Sequence, residues 1–179
     1  MHEVQGGHLD ALGEIFERHH RPLFRFLSRT TGDRALAEDL TQEVFVRILK
    51  YRHTYDEGSR FETWLFRIAR NARADHFRTR PPLAMTVDDA LDMPAPAPGP
   101  AQQFERETEA RQLECALRQL GEEPRDLLVL ARYHDMPYDQ IAELLGIEVG
   151  AVKVRVHRAL KQLRALYFRL EDRPCAVKK

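Results

Sequence analysis

Cysteine is scarce in this chain of 179 residues, which has only Cys115 and Cys175. The two lie far apart and belong to no CxxC pair or Cys/His cluster, so the sequence favours neither a structural zinc site nor a disulfide framework. We therefore expect no bound metal and no cofactor. Cys115 falls inside a helical pattern and is predicted to be a small core residue, whereas Cys175, near the end, is predicted to be exposed.

Long apolar runs are also missing. No run approaches the roughly 18 residues that a membrane-spanning helix needs, and the chain does not open on a signal peptide. We therefore expect a soluble, cytoplasmic protein without membrane insertion. The composition, 43% hydrophobic and 31% charged, is typical of globular proteins and excludes disorder throughout.

Net charge is absent overall, but the charges are unevenly distributed. The 28 Lys and Arg residues balance the 28 Asp and Glu residues, yet no acidic residue occurs from Val149 to Leu170. That segment contains His157 and the bases Lys153, Arg155, Arg158, Lys161, Arg164 and Arg169. Acids cluster instead at 38–43, 88–92 and 105–109. We infer that the basic segment faces a polyanion and that the acids face something else.

Proline is concentrated in one stretch, since six of the ten prolines lie between Pro81 and Pro100. Proline removes a backbone donor and blocks helix, so this stretch is predicted to be an extended linker, semi-rigid at PAPAPGP. It divides the chain into a first lobe (1–80), a linker (81–104), a second lobe (105–170) and a basic tail (171–179).

Apolar residues on both sides of the linker recur every three or four positions, the spacing of helices that bury one face. The first lobe is predicted to contain helices over 9–27, 35–49 and 61–77, with Asp33 capping the second and a break around Gly58. No convincing alternating strand appears. We predict an all-α fold of two small helical domains joined by the proline-rich linker.

The second lobe has the outline of a helix-turn-helix. Predicted helices over 105–120 and 125–133 are separated by a turn at GEEP. A short helix over 138–145, a turn at Gly146 and a final helix over 149–169 follow, which is the order of that DNA-binding motif.

The final helix is predicted to have one free basic face. At about 100° per residue, Val152 and Val156 point inward with Ala159, Leu160 and Leu163. The opposite side carries Gly150, Val154, His157, Arg158 and Lys161, with Lys153 and Arg155 at the boundary. On a helix in a major groove, valine can contact a thymine methyl while arginine or lysine reaches guanine or phosphate. A solvated basic face on a core helix is the alternative.

A second basic segment joins the aromatic residues of RFETWLFRIARNARADHFR (60–78) to five arginines between Arg67 and Arg80. Tyr55, Phe61 and Trp64 precede or open it. Flat rings that take unstacked bases and cations that follow the backbone are what a single-strand binder needs. The plainer interpretation is an aromatic core with solvated arginines, and it applies to Trp64 in particular.

Three blocks of this sequence resemble the extracytoplasmic-function (ECF) group of sigma-70-family sigma factors. AEDLTQEVFVRIL is similar to their region 2.2, FETWLFRIARNARADHFR to regions 2.3 and 2.4, and LGIEVGAVKVRVHRALKQLR to the region 4.2 helix-turn-helix. The resemblance implies a promoter-specificity subunit of RNA polymerase that is not an enzyme. Its partners would be core polymerase, through the largest-subunit clamp coiled coil and the flap, and promoter DNA; regulation by an anti-sigma factor is left open.

The resemblance also implies a role for each cluster. Asp39, Gln42 and Glu43 would dock on core polymerase. The loop 53–60 would accept a flipped base of the −10 element, with DNA contacts from Tyr55, Phe61, Trp64, Arg67, Arg70 and Asn71, and Arg47 would contact the backbone. The −35 element would be read by Gly150, Lys153, Val154, His157, Arg158 and Lys161. Many relatives carry a small polar residue where Val154 stands.

The same resemblance implies a role for the linker and a conformation for the free protein. Asp88, Asp89 and Asp92 would mimic nucleic-acid charge in a basic channel of the polymerase. The free chain would be compact or held by an inhibitor, and the bound chain would have its lobes spaced to read both promoter elements.

Three alternatives stay open from sequence. A stand-alone helix-turn-helix regulator would explain residues 138–164 but not the aromatic and acidic clusters. An enzyme would use His19 and His20 with Glu17, or His134 with Asp135, although neither set has the spacing of a metal motif such as HExxH. The third alternative is an inactive sigma homologue that titrates polymerase or an inhibitor.

Overall fold

The computed structural model describes residues 1–8, 10–79 and 100–172, with side chains at 1–8, 10–79 and 108–170. These residues form eight α-helices and no strand. The first lobe contains α1 (His2–Gln5), α2 (Asp10–Thr31), α3 (Arg34–Tyr51) and α4 (Phe61–Thr79); the second contains α5 (Pro100–Gln119), α6 (Glu122–Leu128), α7 (Tyr138–Leu145) and α8 (Val149–Asp172). A 3₁₀ turn (Arg52–Thr54) follows α3, and a π-helical turn (Val129–Tyr133) follows α6. The all-α prediction is confirmed.

The first lobe is built on the apolar faces of α2, α3 and α4. Its innermost side chains are fully buried, among them Leu23, Phe26, Leu27, Val44, Ile48 and Leu65. Asp33 caps α3, since its carboxylate Oδ1 accepts a hydrogen bond of 3.0 Å from the Leu36 amide. This confirms the cap predicted from sequence and satisfies one of the free amides at the helix start.

The second lobe is assembled around α8, which packs on α5, α6 and α7. The turn between α7 and α8 depends on Gly146, whose φ of 66° and ψ of 36° are left-handed. The amide of Ile147 donates to Ala142 O at 3.0 Å, so the turn ends α7 with its last carbonyls satisfied. The helix-turn-helix is therefore present as predicted.

Two helix starts differ from the prediction. Helix α5 begins at Pro100, inside the segment 81–104 predicted as linker, because proline is well tolerated in a first helical turn. Helix α6 begins at Glu122, so GEEP is not a turn between helices but the cap and first turn of α6. Acidic side chains stabilise the positive end of the helix dipole there.

The two lobes pack against each other through α4 on α7 and through α2 on α5, α6 and the π-helical turn. Arg125 supports this packing from α6. Its guanidinium donates to Leu117 O and Leu120 O at the end of α5, and also to Thr30 O at the end of α2. One cation thus neutralises the negative ends of a helix from each lobe.

Some predictions fall outside the described residues. These are the helix start at Leu9, residues 81–99 of the linker with Asp88, Asp89 and Asp92, and residues 173–179 of the tail with Cys175. Cys115, predicted as a core residue, is only partly buried on α5. Within the described part of the chain, no helix is long and apolar enough to cross a membrane.

Candidate nucleic-acid interface

The exposed face of α8 carries all six residues predicted to read DNA. Val152, Val156 and Ala159 are buried against the lobe, and this orients the helix. The six exposed residues are Gly150, Lys153, Val154, His157, Arg158 and Lys161. Val154 is 49% exposed, so an apolar contact lies in the middle of a basic surface. We call these six residues the α8 basic face.

The start of α8 is open to close approach. Nothing lies within 4 Å of the position that a Cβ on Gly150 would occupy. Arg155, which flanks the basic face, is paired with Glu123 of α6. The flanking cation is therefore partly neutralised by the protein itself, while the α8 basic face lies beyond that pair.

The predicted aromatic cluster forms, but its three rings differ in exposure. Tyr55 contacts Trp64 edge to face with 5.3 Å between ring centroids, and Phe61 lies 6.1 Å from Tyr55. Trp64 is only 6% exposed and belongs to the core, as the plainer interpretation held. Tyr55 and Phe61 are half-buried, so their exposed parts are what a base can reach in this cluster.

The loop before α4 is ordered by its own polar groups. The Tyr55 hydroxyl donates to Ser59 O at 2.9 Å, and the Gly58 amide donates to Asp56 Oδ1 at 3.1 Å. Burial, assisted by the negative charge of Glu62, raises the pKa of Tyr55. Tyr55 therefore remains a neutral phenol at neutral pH, which suits stacking against a base.

The polar residues of α4 do not share one environment. Asn71 is exposed one to two turns beyond Trp64 and Arg67, where its amide has room to meet a base edge. Arg67 is exposed, and its Nη2 lies 3.4 Å from Glu143 O on α7. Arg70 is half-buried and donates through Nε to Asp126 Oδ2 at 2.9 Å. Two of the predicted DNA contacts thus touch the second lobe.

Arg73, which sequence reasoning did not single out, lies in the most buried charge cluster of the interface. It is 1% exposed and forms two hydrogen bonds with Asp126, of 2.6 and 2.9 Å. Burial opposes its charge, but hydrogen bonds with Asp126 and Glu122 more than offset this and raise the pKa of Arg73. We call Arg70, Arg73, Glu122 and Asp126 the interlobe charge cluster. Its partners are about 50 residues apart in sequence, so no local pattern could have revealed it.

The acidic surface on α3 is also present. Asp39, Gln42 and Glu43 are exposed on one side of the helix, as the four-residue spacing requires. Sequence reasoning missed Val46, which lies on the same side and is 60% exposed. Arg47 is paired with Glu43 and Asp75, both at 2.8 Å, so it is held against the protein surface.

The histidines that an enzyme would use all contact aromatic rings. His20 stacks on Phe16 with ring centroids 4.8 Å apart, and His19 lies edge-on to Phe61. His134 contacts Phe66 across the lobe interface, with centroids 5.0 Å apart. Among the described residues, no group of three His, Cys, Asp or Glu side chains is placed to hold a metal ion.

Comparison with known protein families decides the assignment. Residues 15–81 match sigma-70 region 2, and residues 110–163 match sigma-70 region 4. The chain is 36% identical to the RNA polymerase sigma factor CarQ of Myxococcus xanthus over 96% of this chain and 97% of CarQ. It belongs to the ECF group of the sigma-70 family.

Other ECF sigma factors and solved structures agree. SigM of Bacillus subtilis is 31% identical, with 88% of this chain and 96% of SigM covered. CnrH, solved with the cytosolic domain of CnrY, has a TM-score of 0.66 at 25% identity and covers 92% of each chain. RpoE of Bartonella quintana, solved with the anti-sigma factor NepR, shares the fold with a TM-score of 0.67 at 23% identity and covers 86% of this chain and 94% of that one. The first lobe is therefore a region 2 domain and the second a region 4 domain of an RNA polymerase sigma factor.

Proposed function

We propose that this sigma factor directs core RNA polymerase to promoters by reading the −35 element as duplex and the −10 element as a melted strand. The observation that carries the proposal is the α8 basic face. It exposes four cations or histidines around Val154 on the second helix of a helix-turn-helix, and no acid occurs from Val149 to Leu170. Such a helix fits the major groove, where bases and phosphates are both within reach.

Recognition of the −10 element is assigned to the loop before α4. In this proposal an extruded base stacks on the exposed surface of Tyr55 and Phe61, and Asn71 contacts its polar edge. Trp64 supports the two rings from the core, where it is 6% exposed. Capturing a base in this way offsets part of the few kcal/mol that strand opening costs.

Binding to core polymerase is assigned to α3. Asp39, Gln42 and Glu43 would meet the clamp coiled coil of the largest subunit, and region 4 would meet the flap. Exposed Val46 beside the carboxylates adds an apolar contact, which gives the surface the mixed character of a protein interface. A surface with two carboxylates is poorly suited to the DNA backbone, since phosphates repel it. Binding to polymerase would place the protein in the cytoplasm.

The proposal requires the lobes to separate on binding polymerase. Arg67 and Arg70 touch region 4 in the packed arrangement, so DNA could not reach the whole of α4. The linker that precedes α5 would then span the two promoter elements, with its acids in a basic channel. Because one structural neighbour was solved with the anti-sigma factor NepR and another with the cytosolic domain of CnrY, we also propose that an anti-sigma factor holds the packed form.

The test combines binding with transcription. Purified protein is mixed with bacterial core RNA polymerase, resolved by size-exclusion chromatography and assayed for run-off transcripts from a fragment library. Co-elution with promoter-selective transcripts supports the proposal and yields both promoter elements. Co-elution without transcripts indicates an inactive homologue that titrates polymerase. Tight duplex binding without co-elution would leave only the helix-turn-helix correctly interpreted.

A further inference from the structure

The first turn of the protein packs beneath the loop assigned to the −10 element. Helix α1 contacts the 3₁₀ turn Arg52–Thr54, and His2 contacts Glu57 at the far end of the loop. No motif in the sequence pointed to α1, and the proposed function has not used it. Its position raises the question of what it contributes to the loop.

Gln5 makes the most specific of these contacts. Its side-chain Nε2 donates to Arg52 O and to Tyr55 O, both at 2.9 Å. Two backbone carbonyls three residues apart are thus fixed by one amide group. The amide nitrogen has two hydrogens, one for each carbonyl, whereas a carboxylate would present only acceptors.

These hydrogen bonds restrain Tyr55, the residue whose ring is proposed to contact the extruded base. The backbone carbonyl of Tyr55 is bonded to Gln5, its hydroxyl to Ser59 O at 2.9 Å, and its ring contacts Trp64. The Tyr55 amide also donates locally, to Arg52 O at 3.3 Å. The bond from Gln5 differs from these contacts because it fixes the Tyr55 carbonyl from a separate helix, α1.

The attachment of α1 does not depend on Gln5. Val4 is fully buried, and Met1 packs against the core, so apolar contacts already hold the helix. Gln5 itself is half-buried. Loss of its amide should therefore leave α1 in place while releasing the two carbonyls of the loop.

We propose that Gln5 is a positioning residue for −10 recognition, which holds the loop so that the Tyr55 ring is preorganised for an extruded base. This inference rests on the proposed function, because it assumes that the loop takes a base of the melted strand. Preorganisation lowers the cost of ordering the loop when the strand binds. The amide thus links the N-terminal helix to promoter opening, without touching DNA.

The test uses holoenzyme assembled with Gln5→Leu or Gln5→Glu on a promoter selected with the native protein. Permanganate reactivity of thymines at the −10 element measures opening, and affinity for core polymerase and for the −35 duplex is measured in parallel. Both variants should lower the equilibrium constant for opening about tenfold, equivalent to about 1.4 kcal/mol. Core and −35 affinities should stay within about twofold of the native values.

Gln112→Glu is the matched control, because Gln112 also donates from an amide to one carbonyl, Tyr167 O, in the region 4 domain. It should leave opening unchanged. Native opening by both Gln5 variants would overturn the inference and leave the proposed function intact. Native-level opening with Gln5→Glu, but not with Gln5→Leu, would overturn the role of the Gln5 amide as a hydrogen-bond donor. Equal loss of core binding, −35 binding and opening would show a merely structural role, and absence of opening by native holoenzyme would overturn the proposed function and this inference together.

Discussion

Arg73 on α4 and Asp126 on α6 form a bidentate ion pair across the lobe interface, with both side chains almost completely buried. Arg70 shares the same carboxylate. A paired and hydrogen-bonded charge is tolerated in the interior, whereas an unpaired one is strongly unfavourable. Within the packed arrangement, Asp126 is therefore the buried carboxylate that balances the charges of two arginines.

Asp126→Asn should weaken the packed form by about 3–5 kcal/mol, because Arg70 loses its counter-charge and buried Arg73 keeps only the exposed carboxylate of Glu122. Denaturant unfolding measures the loss of stability, and the distance between fluorophores on the two lobes reports separation. Glu122→Gln is the control: this carboxylate is 66% exposed, and its pair with Arg73 should contribute less than about 1 kcal/mol. Equal effects of both changes would contradict the importance assigned to burial.

His134 makes the same interface sensitive to acid. Its ring contacts Phe26 and Phe66 of the first lobe. Its buried Nε2 has no hydrogen-bond partner among the residues that the structure describes. Burial, reinforced by the positive charges of Arg29 and Arg25, lowers the pKa of His134 from 6.5 to about 4. The unfolded chain therefore binds a proton between these values while the folded chain does not, and stability falls as pH drops through that window.

His134→Phe should remove this pH dependence. Relative to the variant, the native protein should lose on the order of 2 to 3 kcal/mol of stability between pH 6.5 and pH 4. Glu114, whose pKa is raised by burial, contributes with the opposite sign but is present in both proteins and cancels in the comparison. Unfolding free energies at several pH values make the measurement. Exposed His157→Gln is the control, and a parallel pH profile for native protein and His134→Phe would contradict the prediction.

The helices and the helix-turn-helix were predictable because their signals are local. Apolar spacing marks the buried face of α8, Gly146 marks a turn that needs a left-handed residue, and Asp33 marks a helix start. The errors at α5 and α6 were local too. Proline was taken as a linker or turn signal although Pro100 and Pro124 lie in first helical turns, where proline is tolerated.

The lobe interface could not be predicted in this way. The arginines of α4 look like solvated or DNA-binding cations from sequence, and it is the approach of Glu122 and Asp126 on α6 that distinguishes Arg73. The contact between Gln5 and the loop is equally non-local, since about 50 residues separate the partners. Such contacts depend on which helix faces meet, and periodicity does not contain that information.

Val154 should read the methyl group of a thymine in the −35 element. Replacing that thymine with deoxyuridine removes only the methyl, and burial of one such group contributes about 0.8 kcal/mol, or about fourfold in affinity. Native holoenzyme should lose about fourfold in affinity when one −35 thymine is replaced in this way. Holoenzyme with Val154→Ala should lose no affinity when the same thymine is replaced. Arg132→Ala, an exposed change elsewhere in the domain, should keep the native response. A native protein indifferent to every such substitution would refute the contact.

Gly150 and Gly146 should respond oppositely to alanine. Gly150 is helical with open space around its Cβ position, so Gly150→Ala should stabilise the protein by about 0.5–1 kcal/mol. It should nevertheless weaken −35 binding, because the methyl obstructs close approach of a phosphate. Gly146→Ala should destabilise by about 1–2 kcal/mol, since φ is 66° there. Thermal unfolding and duplex binding separate the two effects, and unchanged DNA affinity for Gly150→Ala would mean that no phosphate comes close.

Asp39 should contribute to core polymerase affinity through its charge. Asp39→Asn removes the charge of an exposed side chain on α3 without changing its shape, so stability should stay within about 0.5 kcal/mol. Affinity for core polymerase should fall about tenfold, the effect of losing one charge-assisted contact of about 1.5 kcal/mol, and the loss should shrink as salt rises. Glu38→Gln is the matched control, because Glu38 is also exposed on α3 but pairs with Arg34. Equal losses for both variants would indicate general electrostatic attraction rather than a docking surface formed by Asp39, Gln42 and Glu43.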